Sequence, residues 1–517
     1  MPQLEWLPEQ AGGINLWDDA SSIPMHQMVQ LDNYYPVGKR WQLIQGNDVV
    51  SPGPTPSRLR HLVEYQVDNT TGGTTKYLLV MLSDGTTGAI VNAETGVALT
   101  GPALSHTETI KWDTTVFQGI MLLAAGNETN LLETGNGTTF TVTAGSPPGP
   151  SRYVEAWKNR LFLAGRDVAP LSVYYSADGD KTTWVGSDAG TEVITSPVGD
   201  FVTGIRSLEN YLAIFTRRTI TVLLGDHPDD WTKRTLYEDH GCTSHRTIAK
   251  VNGGLVYAND QGVWLLNADL KRMELSRDIR PYWAGDNTNA LGVARNLGRS
   301  SFMHAVYDPT PDKNRYYIWV SEGSSTKEDV CWMFHFNTGQ WSRMTSFMDA
   351  NQTSQASCLR EDSSGNIQVY FAAGSDDNTT NDKITYKISS AQSFASKTGG
   401  DITATFKTGV LTSPYIPQVQ LLGILTTKKW VDAFLKFTGT TIASQSVSFT
   451  FRGYSTDSAV DQRVITQPFT SATAGTVRPR VPISIRGWGI QLTMTYTGQT
   501  RHSFLGGIFN FIDAGEV

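Results

Sequence analysis

A chain of 517 residues is too long for one simple core, and its 48 glycines with abundant Thr, Val, Tyr and Trp favour many short strands over long helices. Its formal charge of -7 lacks the excess of Lys and Arg that tight general binding to nucleic acid requires, yet an acidic surface lets a duplex slide past without sticking. Cys242, Cys331 and Cys358 fit neither a disulfide framework nor a paired zinc spacing, so they are expected to be reduced and structural.

The opening MPQLEWLPEQ has no basic stretch followed by an apolar one, so no secretory signal is expected. No apolar run approaches the roughly 20 residues of a membrane helix. Residues 1–56 are expected to form an N-terminal arm. Gly12-Gly13-Ile14-Asn15 starts a loop-rich segment, Leu31-Asp32-Asn33-Tyr34-Tyr35-Pro36 carries an aromatic cluster, and Ser51-Pro52-Gly53-Pro54-Thr55-Pro56 reads as a stiff linker. Trp6, Trp17, Tyr34, Tyr35 and Trp41 are too many aromatics for a segment with so little core of its own. They must dock onto the rest of the chain or onto a neighbouring subunit, which makes them interface candidates.

From residue 57 to 395 one cadence recurs: an apolar run of four to six residues, a Gly/Asn/Asp turn, then another apolar run. Tyr77-Leu78-Leu79-Val80, Ile120-Met121-Leu122-Leu123, Leu161-Phe162-Leu163, Tyr211-Leu212-Ala213-Ile214-Phe215, Leu255-Val256-Tyr257, Tyr316-Tyr317-Ile318-Trp319-Val320 and Val369-Tyr370-Phe371 lead the repeats. A period of about 40 to 60 residues brackets propeller blades and predicts about seven of them. Residues 239–283 show one blade most completely: Leu255 to Ala258 and Val263 to Leu266 flank the turn Asn259-Asp260-Gln261-Gly262, whose residues tolerate tight-turn angles. A Ser/Ala/Gln/Gly-rich stretch from Ser389 to Gly400 then separates residues 396–517, where period-two runs predict a β-sandwich. Its last strand, Phe504 to Ile512, is apolar enough to be buried or to meet a partner. The expected fold class is all-β: an extended arm, a β-propeller and a C-terminal β-sandwich-like domain.

Several motifs invite chemistry and have a simpler reading. His240, Cys242 and His245 could ligate a metal, but no second cluster supplies a fourth ligand, so a loop entering a blade is expected. Glu238 with Asp239, and Asp229 with Asp230, are carboxylate pairs, but neighbours on a strand point to opposite faces and do not form a glycosidase pair. His227-Pro228-Asp229-Asp230 reads as a turn at a blade rim. Ser176-Ala177-Asp178-Gly179-Asp180-Lys181-Thr182-Thr183-Trp184 approximates the aspartate box of sialidase-like propellers, itself a structural hairpin. The Asn-x-Thr triplets at Asn69, Asn127, Asn136, Asn351 and Asn378 read as polar turns, and Lys39-Arg40, Arg217-Arg218 and Lys428-Lys429 as scattered surface charge. No phosphate-cradling Gly-Lys-Ser/Thr loop is present. No catalytic residue, cofactor or metal is expected.

Gly241-Cys242-x-Ser244, Asn252-Gly253-Gly254-Leu255-Val256-Tyr257, Asp260-Gln261-Gly262-Val263-Trp264, Leu275-Ser276 and Ile279-Arg280-Pro281-Tyr282-Trp283 together resemble the propeller-bearing tail nozzle, or tail-tube, proteins of short-tailed bacteriophages. Gly12-Gly13-Ile14-Asn15 and Leu31 to Pro36 resemble the start of that family, and Ala305-Val306-Tyr307-Asp308 with Asn337-x-x-x-Gln340-Trp341 a later blade. The resemblance implies a non-enzymatic virion component, made in the bacterial cytoplasm and placed in the tail. It further implies a ring, hexameric in this family, that sits on an adaptor below the portal, closes the DNA channel and opens for ejection. Tail fibres or a tailspike are further partners, and double-stranded DNA passes without sequence-specific binding. The alternative is a propeller that binds or hydrolyses a glycan, since fold does not fix function.

Overall fold

The computed structural model describes residues 3–6, 10–45, 47–52, 58–68, 72–83, 87–105, 112–126, 130–186, 188–345, 353–362, 364–374, 384–388, 402–412, 428–439, 442–455, 458–471, 475–477, 480–498 and 502–513. Seven four-stranded antiparallel units make a propeller. Blades 1 to 5 are residues 58–105, 112–142, 153–193, 202–237 and 249–274, and blade 6 is residues 304–344. Blade 7 takes three strands from residues 353–388 and its outermost strand from Asn47–Pro52. The first strands of successive blades lie side by side around the ring, and blade 7 meets blade 1.

The apolar runs are continuous because each central strand is buried on both faces. In Thr74–Ser83, Leu79 and Met81 enter the wedge shared with blade 2, while Leu78, Val80 and Leu82 enter the wedge shared with blade 7. In Arg160–Arg166, Leu161 and Leu163 likewise face blade 2, and Phe162 and Ala164 face blade 4. Successive side chains point to opposite faces, so an uninterrupted apolar run is what a radial sheet between two neighbours needs. The blade 5 hairpin pairs Gly254–Ala258 with Val263–Asn267 in the register Ala258 opposite Val263. Asn259 closes its turn: the side-chain Oδ1 accepts from the amides of Gln261 at 2.9 Å and Gly262 at 3.0 Å.

The ring is closed by Asn47–Pro52, whose last two residues, Ser51 and Pro52, begin the stretch expected to be a stiff linker. Asn47 to Pro52 pair antiparallel with Ile388 to Ile384, so the segment before the propeller completes its last blade. The otherwise exposed five-residue edge Ile384–Ile388 is thereby satisfied by backbone pairing. Gly53 to Pro56 lie outside the described residues.

Residues 402–513 form a β-sandwich, but not a separate one. In its first sheet the strands run in the order Tyr34–Val37, Arg40–Leu43, His502–Asp513, Lys428–Gly439, Gly475–Val477, with Gln3–Trp6 added to His502–Asp513 and Arg480–Gly487 to Lys428–Gly439. The second sheet starts inside the propeller. The outer strand of blade 6, Gln340–Met344, is joined in parallel to Met28–Asp32, and the sheet continues through Ile402–Thr408, Gly489–Gly498 and Ile442–Ser455 to Ser458–Ser471. The strand expected to be buried or to meet a partner is buried: Phe504, Phe509 and Phe511 lie in the core between the sheets. That core runs without a break into the wedge between blades 5 and 6, where Val256, Tyr282, Tyr316 and Trp332 pack. Ser389 to Gly400, the expected linker, lie outside the described residues.

Candidate functional site

The first strands of the blades surround the propeller axis, and four of them supply a charged side chain to one connected network. They are Asp113 in Trp112–Phe117, Glu155 in Tyr153–Trp157, Arg206 in Val202–Leu208 and Lys250 in Ala249–Val251. His245 joins them from the short turn His245–Thr247 that leads into blade 5. Arg206 spans Glu155 Oε2 at 2.8 Å and Asp113 Oδ1 at 3.4 Å, and Lys250 Nζ lies 2.9 Å from Glu155 Oε1. Ser207 donates to Glu155 Oε1 from its hydroxyl at 2.6 Å and its amide at 3.1 Å, while the Val154 amide donates to Asp113 Oδ2 at 2.9 Å. His245 Nε2 stands 2.9 Å from Asp113 Oδ2. Blades 2 and 5 are not neighbours, so this last contact crosses the axis. The propeller is plugged by charge.

Gly204 lets the plug form. A bulge falls between Val202 and Gly204, and a Cβ at Gly204 would lie 2.6 Å from His245 Nδ1. The electrostatics follow from burial against pairing. Burial pushes the Asp113 carboxyl up, but His245, Arg206 and the Val154 amide outweigh it and hold it well below the usual carboxylate range. Burial also raises Glu155, and Arg206 with Lys250 reverses that. His245 goes the other way: burial lowers it, Asp113 only partly opposes this, and it is neutral at neutral pH. Since His245 is then uncharged, Arg206 is the cation that keeps Asp113 ionised. Both carboxylates are therefore acceptors and neither is a proton donor at neutral pH. Such an array ties the first strands together across the axis.

The arm aromatics do not lie together on one surface. Trp6 and Trp41 sit in the sandwich core with ring centroids 5.5 Å apart; Trp6 Nε1 donates to Met25 O at 2.6 Å and Trp41 Nε1 to Gly12 O at 2.7 Å. Tyr34 OH meets His502 Nε2 at 2.6 Å, and the Tyr35 ring lies under Arg315, 4.4 Å from the guanidinium carbon. These four are buried inside one chain, so as interface candidates they are corrected to intramolecular anchors. Trp17, 46% exposed with Arg280 stacked 4.7 Å over its ring, remains at the surface.

The suspected metal triad diverges. His240 Nε2 meets Tyr257 OH at 2.9 Å and its ring packs edge-on against Trp264, Cys242 Sγ donates to Ser244 O at 3.2 Å, and His245 turns to the axis. Among the described residues no three His, Cys, Asp or Glu side chains converge on a metal position. Glu238, Asp239, Asp229 and Asp230 are exposed, and Pro228–Asp230 forms a single 3-10 turn in blade 4, held by His227 Nδ1, which accepts from the Asp229 amide at 3.3 Å. The aspartate-box-like segment is a hairpin lock: Ser176 Oγ accepts from the Leu161 amide at 3.0 Å, Asp180 accepts from the Thr182 amide at 2.7 Å and Trp184 Nε1 donates to Lys181 O at 2.9 Å. Asn136 caps an exposed turn through the amides of Thr138 and Thr139; Asn69, Asn127, Asn351 and Asn378 lie outside the described residues. Of the basic pairs, Lys428 departs from the expectation of surface charge: it is buried, with Nζ 5.6 Å from the Phe511 ring.

Of the axial residues the sequence singles out only His245, and that as a possible metal ligand. Their signal was a charge inside a first strand, as in Tyr-Val-Glu-Ala-Trp at residues 153–157, but pairing among Asp113, Glu155, Arg206, His245 and Lys250 emerges only when the ring closes.

No family model matches the chain, and no curated protein is significantly similar to it in sequence. Among solved structures it is similar to the WD40 domain of Neurospora crassa Pan2, at 10% identity over 67% of this chain and 95% of that one, with a TM-score of 0.38. It is also similar to a catalytically inactive virginiamycin B lyase from Staphylococcus aureus solved with quinupristin, at 10% identity over 66% of this chain and 98% of that one, TM-score 0.40. A third is the computationally designed Ika8 protein, at 12% identity over 73% and 100%, TM-score 0.37. Likenesses this distant say nothing about activity, and it is the chain's own radial sheets and wedge cores that make it an all-β propeller fused to a β-sandwich.

Proposed function

We propose that the chain is an architectural subunit of a short-tailed phage tail nozzle, assembling as a ring on an adaptor and continuing the DNA channel of the virion. The observation that carries this reading is the joint between the two units: blade 6 and the sandwich share one sheet and one core, so the propeller is held rigidly to the sandwich rather than tethered to it. That is what a wall subunit under load requires. The plugged axis supports the same reading, because Asp113 and Glu155 are committed to Arg206, Lys250 and backbone rather than to a substrate. The sandwich also ends in the 14-residue edge strand Ser458–Ser471, paired on one side with Ile442–Ser455 and, among the described residues, on that side only. A long free edge is a ready template for a neighbour.

Electron microscopy of the purified chain with and without portal and adaptor tests the proposal. Rings of this subunit, hexameric as in the resembled family, on adaptor-bearing particles are the expected result. A chain that stays monomeric and joins no tail complex would overturn it.

A further inference from the structure

Where blades 6 and 7 meet, a cleft of about 690 Å³ opens between the turn at residues 309–314 and the turn at Gly365 and Asn366, with Gln45 of the N-terminal segment on its wall. The size is in the range of small-molecule sites. Most of its charged lining is already satisfied. Lys313 Nζ lies 3.3 Å from Asp308 Oδ2 and donates to Ile367 O at 3.2 Å, and Asp308 Oδ1 accepts from Thr310 at both its amide, 3.0 Å, and its hydroxyl, 2.6 Å.

Two lining groups are not satisfied. Arg315 stacks on Tyr35 and hydrogen-bonds the side chains of Tyr35 and Tyr317, but it has no carboxylate within ion-pair distance among the described residues, and its Nε is buried without a hydrogen-bond partner. Gln368 is 4% exposed; its Nε2 donates to Asp362 Oδ2 at 3.3 Å, but its Oε1 is buried without a partner. A buried polar atom left unpaired is costly, and two beside one cleft point to something that fills it. One is a cationic donor and the other a neutral acceptor. The occupant must therefore bring one anionic acceptor and at least one hydroxyl or amine donor.

We infer that this cleft binds a hydroxylated carboxylate, of the kind presented by a uronic acid sugar. Lys313 is paired with Asp308 and the second lining carboxylate, Asp312, is exposed at the rim, which leaves Arg315 as the lining cation with no carboxylate in reach and suits a single carboxylate better than a phosphate dianion beside Asp308 and Asp312. The planar guanidinium matches a carboxylate in shape. Hydroxyls on the same molecule supply the donor that Gln368 Oε1 lacks, and Pro309, Val369 and Ile388 give an apolar wall for the C–H face of a sugar ring. His335, paired across the sheet with Arg315, is pushed down to about 4 by burial and by that guanidinium. The inference stands apart from the ring proposal and does not depend on it.

Calorimetric titration of the full chain with D-glucuronate, D-glucose, propionate and inorganic phosphate tests it. Glucuronate is expected to bind more tightly than the other three, and Arg315→Gln and Gln368→Met each to weaken it about tenfold or more, the usual loss for a charge-assisted or buried hydrogen bond. Thermal melts of both variants check folding, and the neutral exchange at Gln368 decides the matter if Arg315→Gln does not fold. No binding of glucuronate, phosphate binding as tightly, or unchanged affinity in a folded variant would each overturn the inference.

Discussion

Arg206 shows how a single side chain sets the character of the axis. It holds Asp113 and Glu155 ionised in a site from which water is largely excluded, and removing it would leave two buried carboxylates short of a partner. Intact buried ion pairs add little net stability, whereas breaking one costs about 3–5 kcal/mol, so the plug specifies the closed ring more than it strengthens it. The histidines make a second residue-scale argument. His61, His240 and His335 are pushed down to about 4, and His245 and His304 are also lowered, in every case chiefly by burial. In the unfolded chain each takes a proton near pH 6.5. Between those limits the unfolded state binds more protons, so stability falls as pH is lowered from about 6.5. Each such histidine contributes a slope of up to about 1.4 kcal/mol per pH unit. Asp113 and Glu155, whose folded values are depressed, add their loss only below about pH 4. Denaturant unfolding followed from about pH 7 to about pH 4.5 should therefore show a steady drop. A flat profile across that window would contradict the burial of these rings.

Strands and turns carry the next argument. Gly12 and Gly13 pass so close to blade 6 and the turn at His26 that side chains have no room: a Cβ on Gly12 would lie 2.5 Å from His26 O, and one on Gly13 2.4 Å from Trp341 O. That approach lets the Ile14 amide donate to Trp341 O at 2.9 Å and the Gly13 amide to Gln340 Oε1 at 2.8 Å. Gly13→Val should push the segment off the blade and cost about 3 kcal/mol, the upper range for overpacking, read as a shift in the denaturant midpoint. A shift of only a few tenths would mean that the segment is not needed there. The turn glycines and asparagines were legible because their chemistry is local. The Gly12-Gly13 pair was read only as the start of a loop, because the strand it presses against lies more than three hundred residues away.

At the scale of the whole molecule, the N-terminal segment is the fastening between two units. Residues 3–43 complete the sandwich and residues 47–52 complete the propeller, so neither unit is whole without it. Leu4, Trp6, Trp41 and Leu43 are buried in the core that Phe504 and Phe509 also occupy. A fragment of residues 396–517 is expected to remain unfolded when expressed alone and to fold when joined to residues 1–45, with proton NMR dispersion as the readout. A well-dispersed spectrum from the isolated fragment would show that the sandwich is self-sufficient.

The amino-acid sequence by itself determined the all-β class, the repeat of radial sheets and the turns between their strands, because alternation, continuous apolar runs and turn residues act over a few positions. It also marked the arm aromatics as too many to be left in water, while leaving open what they dock on. Only the tertiary structure decided that Trp6, Tyr34, Tyr35 and Trp41 are buried within one chain, that Asn47–Pro52 is the fourth strand of the last blade, and that five scattered polar residues meet on the axis. Those pairings join residues tens to hundreds of positions apart. Which of many chemically equivalent partners is chosen is fixed by closure of the ring and by exclusion of water from its wedges, neither of which leaves a local signature.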